Sequence, residues 1–578
     1  MSFKLHRLVR LGDLEQVEEL LKSSGQKGVA VNEYDKSGRT PLMHAVISPK
    51  ASIDLMRLLL DHGADIHLET REPAYVVESV MALALQGGDP AKVLLLLQRG
   101  ANIHYERAEG YSALLDAVHG RDVLRDQRLI DLLRLLISHR VNLNAVSTYQ
   151  ESGCRVLSRI GRFDAVRLLL EAGADPEHLK WTPLMRAVAL GSLADMLDEL
   201  ARTSSLEEKD WWERTAWLLA IQTGEVAKAC LLLERGADRN ARGRCQKLPL
   251  FYAIETFHTS MLRWLLEIGM PVEDRDQFGG TPLTEAVEHS NLDAVNDLLD
   301  AGADVNAEYG GQVALSFVRT REIAERLLGV GANPHHLPNK GRRALLGFAP
   351  DPDEDILDIS PSDFRAGRVR RFGIANPEKF DSPYCEGMIR AGLSASQAAE
   401  IFRDSVEPVE SPVWCAQRFG QSLTFLPDGR AIQIAGEHED YYDRNFCIYN
   451  DVFVHEPGGA IHIFGYPEAV FPPTDFHSAT LLGLHIYLIG SLGYMGQRRH
   501  GATPVYRLDT DTFKIEEIIL GGDKPGWIFS HTAVSLSSHE ISISGGTVVT
   551  WDGEQEIHAA NERSFILDIE RAVWTACP

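Results

Sequence analysis

The densest set of ligating side chains between Trp414 and the C-terminus is the run Glu437-His438-Glu439-Asp440-Tyr441-Tyr442-Asp443. Imidazole and carboxylate together can bind zinc, manganese or iron. The run follows a strand-like segment, which places it on a loop. His477 and His531 stand at equivalent points of two later segments, preceded by Asp475 and Ser530. Were those segments to radiate from one centre, His438, Asp440, His477, His531 and Asp475 could approach a common ion. The plainer reading is a solvated loop and packing histidines, and the rest of the chain favours it. There is no HExxH, P-loop, nucleophile elbow or dinucleotide fingerprint. Cys385 and Cys415 lack a local protease signature. No catalytic residue and no cofactor is assigned, and the expectation is a protein that is not an enzyme.

Composition narrows the classes further. The 578 residues carry 82 acidic and 58 basic side chains, a formal charge of −24. That surplus argues against a phosphate-binding surface, which needs clustered Lys and Arg, so no nucleic-acid partner is expected. No apolar run approaches the length of a membrane span, and charges interrupt the N-terminal segment before any signal-peptide core. The seven cysteines form no CxxC pair and their number is odd, as for reduced thiols in a cytoplasm. The oligomeric state is not readable.

Two phrases recur through positions 1–345. One is Thr40-Pro-Leu, with counterparts beginning at Thr182, Thr215, Leu248 and Thr281, the last four equally spaced. The other is Gly-Ala-Asp or Gly-Ala-Asn, beginning at Gly63, Gly100, Gly173, Gly236, Gly302 and Gly331. Between them runs an apolar helix such as MRLLLDHG or VNDLLDAG. The Thr can cap a helix whose first position Pro tolerates without losing a hydrogen bond. The Gly suits the left-handed conformation that ends the second helix. This grammar resembles the ankyrin repeat, over about residues 3–345 and roughly ten units, with 3–31 and 341–350 as caps. The units at 74–107, 110–148 and 149–180 depart from it, by a missing phrase, an insertion or a shortening. The resemblance implies an α-solenoid of stacked helix pairs that binds a protein partner through its concave surface and fingers.

In such a family the motif residues are scaffold, and variable positions carry binding. The residue four after the capping position projects from the first helix. Here it is His44, Asp116, Arg186, Leu219, Tyr252 or Glu285. Of these, His44, Asp116, Arg186, Tyr252 and Glu285, with finger residues Trp181, Trp211 and Trp212, form the candidate partner-binding set. Tryptophan is enriched in binding hot spots, although these rings could equally pack between fingers. The basic stretch RNARGRCQK at 239–247 reads as a solvated finger.

From 346 to 413 the sequence is a connector. An acidic, proline-containing stretch precedes a short helical hairpin within 382–405. From 414 to 578 the pattern is strand-like, with AIQIAG, HIYLIGS and EISISGG each following an opening marked by Phe419, Phe476 and Phe529. The unit repeats three times at a near-constant interval. It resembles the kelch repeat, a four-stranded blade of a β-propeller, with Gly545-Gly546 and the closing Trp574 as its marks. Three blades fall short of a usual ring, so an open or incomplete architecture is expected. The combination resembles uncharacterised bacterial ankyrin–kelch proteins, implying a bacterial cytoplasm. Three functions follow: a non-enzymatic interaction scaffold, an immunity- or effector-type protein that sequesters a specific protein, and a metal-dependent enzyme with its site in the C-terminal part.

Overall fold

The computed structural model describes residues 4–23, 31–74, 76–120, 122–349, 359–402, 412–439, 443 and 445–577. The chain divides into two compact units, Met1–Ala303 and Asp304–Pro578.

The first unit is a run of helix pairs, beginning with Lys4–Leu11 and Leu14–Ser23 and ending with Pro282–Glu288 and Leu292–Asp300. Among the described residues the longest helix, Arg128–Ser138, has 11 residues. That is too short to be stable alone in water, so packing between neighbours must hold the helices. Local chemistry sets where each begins. Thr182 accepts a hydrogen bond from the Met185 amide at 3.1 Å, and Thr281 from Thr284 at 3.2 Å. Where the Thr-Pro phrase is missing, serine substitutes: Ser79 caps Val80–Gln86 and Ser152 caps Gly153–Arg159. The departing units are therefore still helix pairs. The glycine after each second helix has φ between 88 and 98° at residues 63, 100, 173, 236 and 302, a conformation other residues reach only with strain.

A second device ties pair to pair. Lys92 is buried and donates to the carbonyls of Ala45 and Ser48 at 2.7 and 2.8 Å. Lys228 does the same to Val188 and Gly191, both at 2.8 Å, and Asn291 to Ile254 at 2.9 Å. Each closes orphan carbonyls at the end of an earlier first helix, and the helix dipole favours the two ammonium groups there.

The second unit opens with the helical turns Ala314–Phe317, Arg321–Gly329 and Asn339–Leu345, followed by three larger sheets. The repeat periodicity predicts a solenoid boundary at 345, and by contacts the compact units meet at 303; Leu328 and Leu345 of these turns line a cavity with strand residues Ser422 and Ser478. Sheet I orders its strands Glu378–Phe380, Ile461–Gly465, Val452–His455, Ala431–Ile434 and Ser422–Phe425. Sheet II runs Ser478–Leu482, His485–Ile489, Val505–Asp509, Ile515–Glu517. Sheet III contains Thr532–Ser535, Glu540–Ser544, Phe565–Asp568 and Val573–Ala576, with Gly521–Gly522 added in parallel. All other pairings within these sheets are antiparallel, and none of the three closes on itself. A smaller antiparallel sheet joins Trp527–Phe529, Thr547–Trp551 and Glu556–Ala560.

The three sheets stack face to face. Ile432, Val454, Ile486 and Leu508 fill the space between I and II, and Tyr487, Ile489, Ile543 and Leu567 that between II and III. The other face of sheet I is covered by helices Pro361–Gly367, Pro383–Ala391 and Ala395–Ile401. Burial follows: Ala431–Ile434 and Val452–His455 are buried along their whole length, as strands covered on both faces must be. Glu540–Ser544 instead alternates, with Ile541 and Ile543 inside and Glu540, Ser542 and Ser544 outward. The outward face of sheet III is thus mixed, with Val534 and Ile566 in register with Ser542.

The strands Ser422–Phe425, Ser478–Leu482 and Thr532–Ser535, one from each of the three sheets, are neighbours. Phe476 donates its amide to Gly420 O, and Ser530 to Phe476 O, both at 2.8 Å. The equivalent residues are thus Gly420, Phe476 and Ser530, all at positive φ, followed by Gln421, His477 and His531. The phenylalanine alignment of the sequence is off by one in the middle unit, because Asp475 occupies the place of Phe419 and Phe529.

Candidate protein-binding groove

In the first unit, a finger between two helix pairs is anchored by a buried ion pair. Arg214 and Asp210 are both buried and bonded at 2.6 and 2.9 Å. Arg214 also donates to Ser158 O at 2.7 Å and to Gln222. This fixes the Trp211-Trp212 finger against helix Gly153–Arg159. Trp212 donates to Arg155 O at 2.9 Å, and Trp181 to Asp210 at 3.3 Å. Cations surround the rings: Arg155 lies 3.5 Å above Trp211, and Arg244 lies 4.9 Å from Trp212. The three tryptophans are therefore half-buried and pack between fingers; Trp212 alone among them also lines a cavity.

That cavity, of about 340 Å³, is walled by Trp212, Arg244, Tyr252, Phe278, Glu255 and Glu285, among others. A second one of about 710 Å³ adjoins it, walled by Arg125, Phe257 and His289 among others. Arg159, Lys247 and Glu255 line both, so the two form one groove. The insertion noted in the sequence forms part of its wall: Arg125 stacks 3.6 Å over Phe257, bringing residues 122–125 beside helix Pro249–Glu255. At the rim Phe278 is 61% exposed.

A charged cluster sits where the cavities meet. Lys247 pairs with Glu255, and His289 Nε2 lies 3.2 Å from Glu285. Burial, aided by Glu285 alongside, raises the Glu255 pKa despite Lys247. The contact with Glu285 raises that of His289, while burial opposes it. Burial also opposes ionisation of Glu285, but His289 outweighs it and lowers its pKa. Glu255, Glu285 and His289 place ligand atoms within 4.8 Å of one another, the one such set among the described residues that could hold a metal ion. Lys247 already supplies positive charge there.

The sequence-derived candidates divide. Glu285 lines the groove; Tyr252 lines it too but is itself buried, 3% exposed, so it forms the wall and offers little surface to a partner. His44 and Asp116 do not face a partner. His44 is buried with Nε2 2.7 Å from Asp35; burial opposes ionisation of Asp35, yet bonds from His44 and Ser37 hold it well below the usual carboxylate range. Asp116 is fully buried and gripped by Arg107, by Tyr105 at 2.7 Å and by Gln86 at 3.1 Å. Leu219 is likewise inside. Arg186 is exposed but lines a different cavity, with Arg167 and Asp195. Arg244 and Lys247, read from sequence as a solvated finger, are groove residues. The place of Arg244, one repeat after Trp211 and close to Tyr252 in the chain, was the available signal.

In the second unit the proposed metal ligands stay apart. His438 Nδ1 donates to Gln417 O (2.8 Å) and its Nε2 lies 3.1 Å from Glu439. His477 bonds Ser422 at 2.9 Å and His531 bonds Ser478 at 2.8 Å. Asp475 is occupied by the Gly493 amide at 2.6 Å and by Ser491. Among the described residues no ion-sized set forms there; Asp440 lies outside them.

The family described as "Ankyrin repeats (3 copies)" matches residues 4–70, 154–243 and 232–309. The N-terminal region is made of ankyrin repeats. Its relatives include the B-cell lymphoma 3 protein homolog of Mus musculus, 31% identical over 201 residues, covering 33% of this chain and 43% of the relative. The putative ankyrin repeat protein FPV022 of fowlpox virus is 28% identical over 344 residues, 56% of this chain and 58% of the relative. The Caenorhabditis elegans ankyrin repeat and KH domain-containing protein mask-1 is 29% identical over 255 residues, 42% of this chain and 9% of the relative. The chain thus spans less than two thirds of each of these. The groove lies within the ankyrin repeats. Among the described residues no helix is long and apolar enough to cross a membrane.

Proposed function

We propose that this chain is a non-enzymatic interaction scaffold, and that the ankyrin groove clasps a segment of a protein partner. The observation that carries this is the contiguous groove, with Trp212 and Phe278 beside Arg244, Lys247, Glu255 and Glu285. Aromatic and arginine anchors in a partly desolvated pocket are where binding energy concentrates. Stacked repeats preorganise them, so docking orders few side chains of the scaffold. The adjacent opposite charges suit a partner segment that itself carries both signs. In this reading the three larger C-terminal sheets are kelch-like blades in an open row, an assignment supported by the equivalence of Gly420, Phe476 and Ser530 and by Trp574 at the sheet III core.

The test is affinity purification with quantitative mass spectrometry on the full chain, wild type against Phe278→Ser/Arg244→Glu. Both side chains are exposed. The expected result is loss of one partner by about tenfold or more with a melting temperature within a degree or two of wild type. Retention of every partner at wild-type yield would refute the groove.

A further inference from the structure

The second unit holds a buried arginine with no counter-ion among the described residues. Arg342 is 7% exposed, on helix Asn339–Leu345. Its one hydrogen bond among those residues is a long one, Nη1 to Arg418 O at 3.3 Å. No carboxylate among them lies within ion-pair reach. Its neighbours are provided for differently. Arg418 pairs with Asp451, with Nη2 to Oδ2 at 3.0 Å, and stacks 3.5 Å over Tyr449. Arg343 donates to the carbonyls of Ala349, Ile389 and Arg390. A buried charge lacking a partner is strongly destabilising, and burial depresses the Arg342 pKa to about 10.

Arg342 lines a cavity of about 170 Å³ whose floor is strands Ser422–Phe425, Ser478–Leu482 and Thr532–Ser535. Ser422, Ser478 and Thr532 come from sheets I, II and III in turn. His477 and His531 join them, each bonded to the serine of the preceding sheet. Apolar lining comes from Leu328, Leu337, Leu345 and Phe425. The lining therefore combines one permanently charged group, several hydroxyls and an aliphatic wall. At about 30 Å³ per water the space holds on the order of five or six waters, below the range for drug-sized ligands.

We propose that this cavity binds a small organic carboxylate with an apolar body, whose carboxylate is the missing counter-ion of Arg342. A single negative charge matches the single guanidinium. The aliphatic wall rewards a hydrocarbon body, which inorganic phosphate lacks. Of the lining hydroxyls, those of Ser422 and Ser478 are engaged by His477 and His531, and Thr532 adds a third to the same floor.

The experiment uses the full chain, with isothermal titration calorimetry and thermal melting against acetate, hexanoate and benzoate, and against benzyl alcohol and inorganic phosphate at matched ionic strength. Benzoate or hexanoate should bind one site per chain and raise the melting temperature by several degrees. Acetate should bind at least tenfold more weakly, and benzyl alcohol and phosphate should not shift the melt. Arg342→Met should abolish the shift, and without ligand should melt at or above wild type, since it removes the unpaired charge. Ala479→Phe, which fills the cavity and leaves Arg342 in place, should also abolish binding and carries the test if Arg342→Met does not fold. Equal stabilisation by benzyl alcohol would mean an apolar cavity only, and stabilisation by phosphate alone a different anion site. Either result overturns the proposal, as does binding by none of the carboxylates or binding retained in both variants.

Discussion

Arg214 and Asp210 show how much one pair can hold. Together they bind the tryptophan finger to Ser158 and Gln222 across two helix pairs. Arg214→Ala would leave a buried carboxylate uncompensated, and should lower stability by about 3–5 kcal/mol in urea unfolding. A change under about 1 kcal/mol would show that the finger is held elsewhere. The groove cluster makes a different prediction. Glu255 and His289 both hold protons more tightly when folded than their ordinary values allow. Their contribution is therefore favourable in mild acid and declines as pH rises through about 5 to about 8. The lowered Glu285 works oppositely, but only on acidification below its ordinary value of about 4.3. Glu255→Gln should accordingly flatten the fall in melting temperature between about pH 5 and about pH 8; an unchanged slope would place that proton elsewhere. None of this was legible beforehand. The sequence position that offers Tyr252 and Glu285 to the groove also yields His44 and Asp116. Those two are drawn inward by Asp35, and by Arg107 and Tyr105, partners that periodicity does not reveal.

Helices were the most legible elements. Thr-Pro-Leu and Gly-Ala-Asp encode the cap, the first turn and the left-handed exit directly, so boundaries followed from local chemistry. The inter-pair anchors were hidden, because a lysine inside an apolar helix looks like a surface residue in sequence. Lys228→Ala would strip the Val188 and Gly191 carbonyls of their donor, and should cost about 1–3 kcal/mol. Glu225, which also contacts Lys228, is half-exposed and adds little. Equality with wild type in chemical denaturation would mean that water replaces the ammonium. Strands were legible as alternation in Glu540–Ser544, and less so in Ala431–Ile434, where burial on both faces erases the alternating pattern.

For the whole molecule, a C-terminal β-rich region of antiparallel sheets was readable from the repeated strand-like runs. What bounds those sheets was not. Glu540 and Ser542 put polar groups among Val534 and Ile566 on the outer face of sheet III, and helices cover sheet I. Glu540→Val/Ser542→Ile should therefore create an adhesive face and shift the chain to dimers or larger species in analytical ultracentrifugation relative to wild type. No shift would mean that the face is already sealed. The central claim, that the ankyrin groove is where a protein partner docks, is tested most directly by hydrogen–deuterium exchange on the complex recovered with the full chain. The account expects new protection confined to residues 118–125, 244–257 and 276–290. Protection appearing only on the C-terminal sheets, with those three segments exchanging as in the free protein, would contradict it.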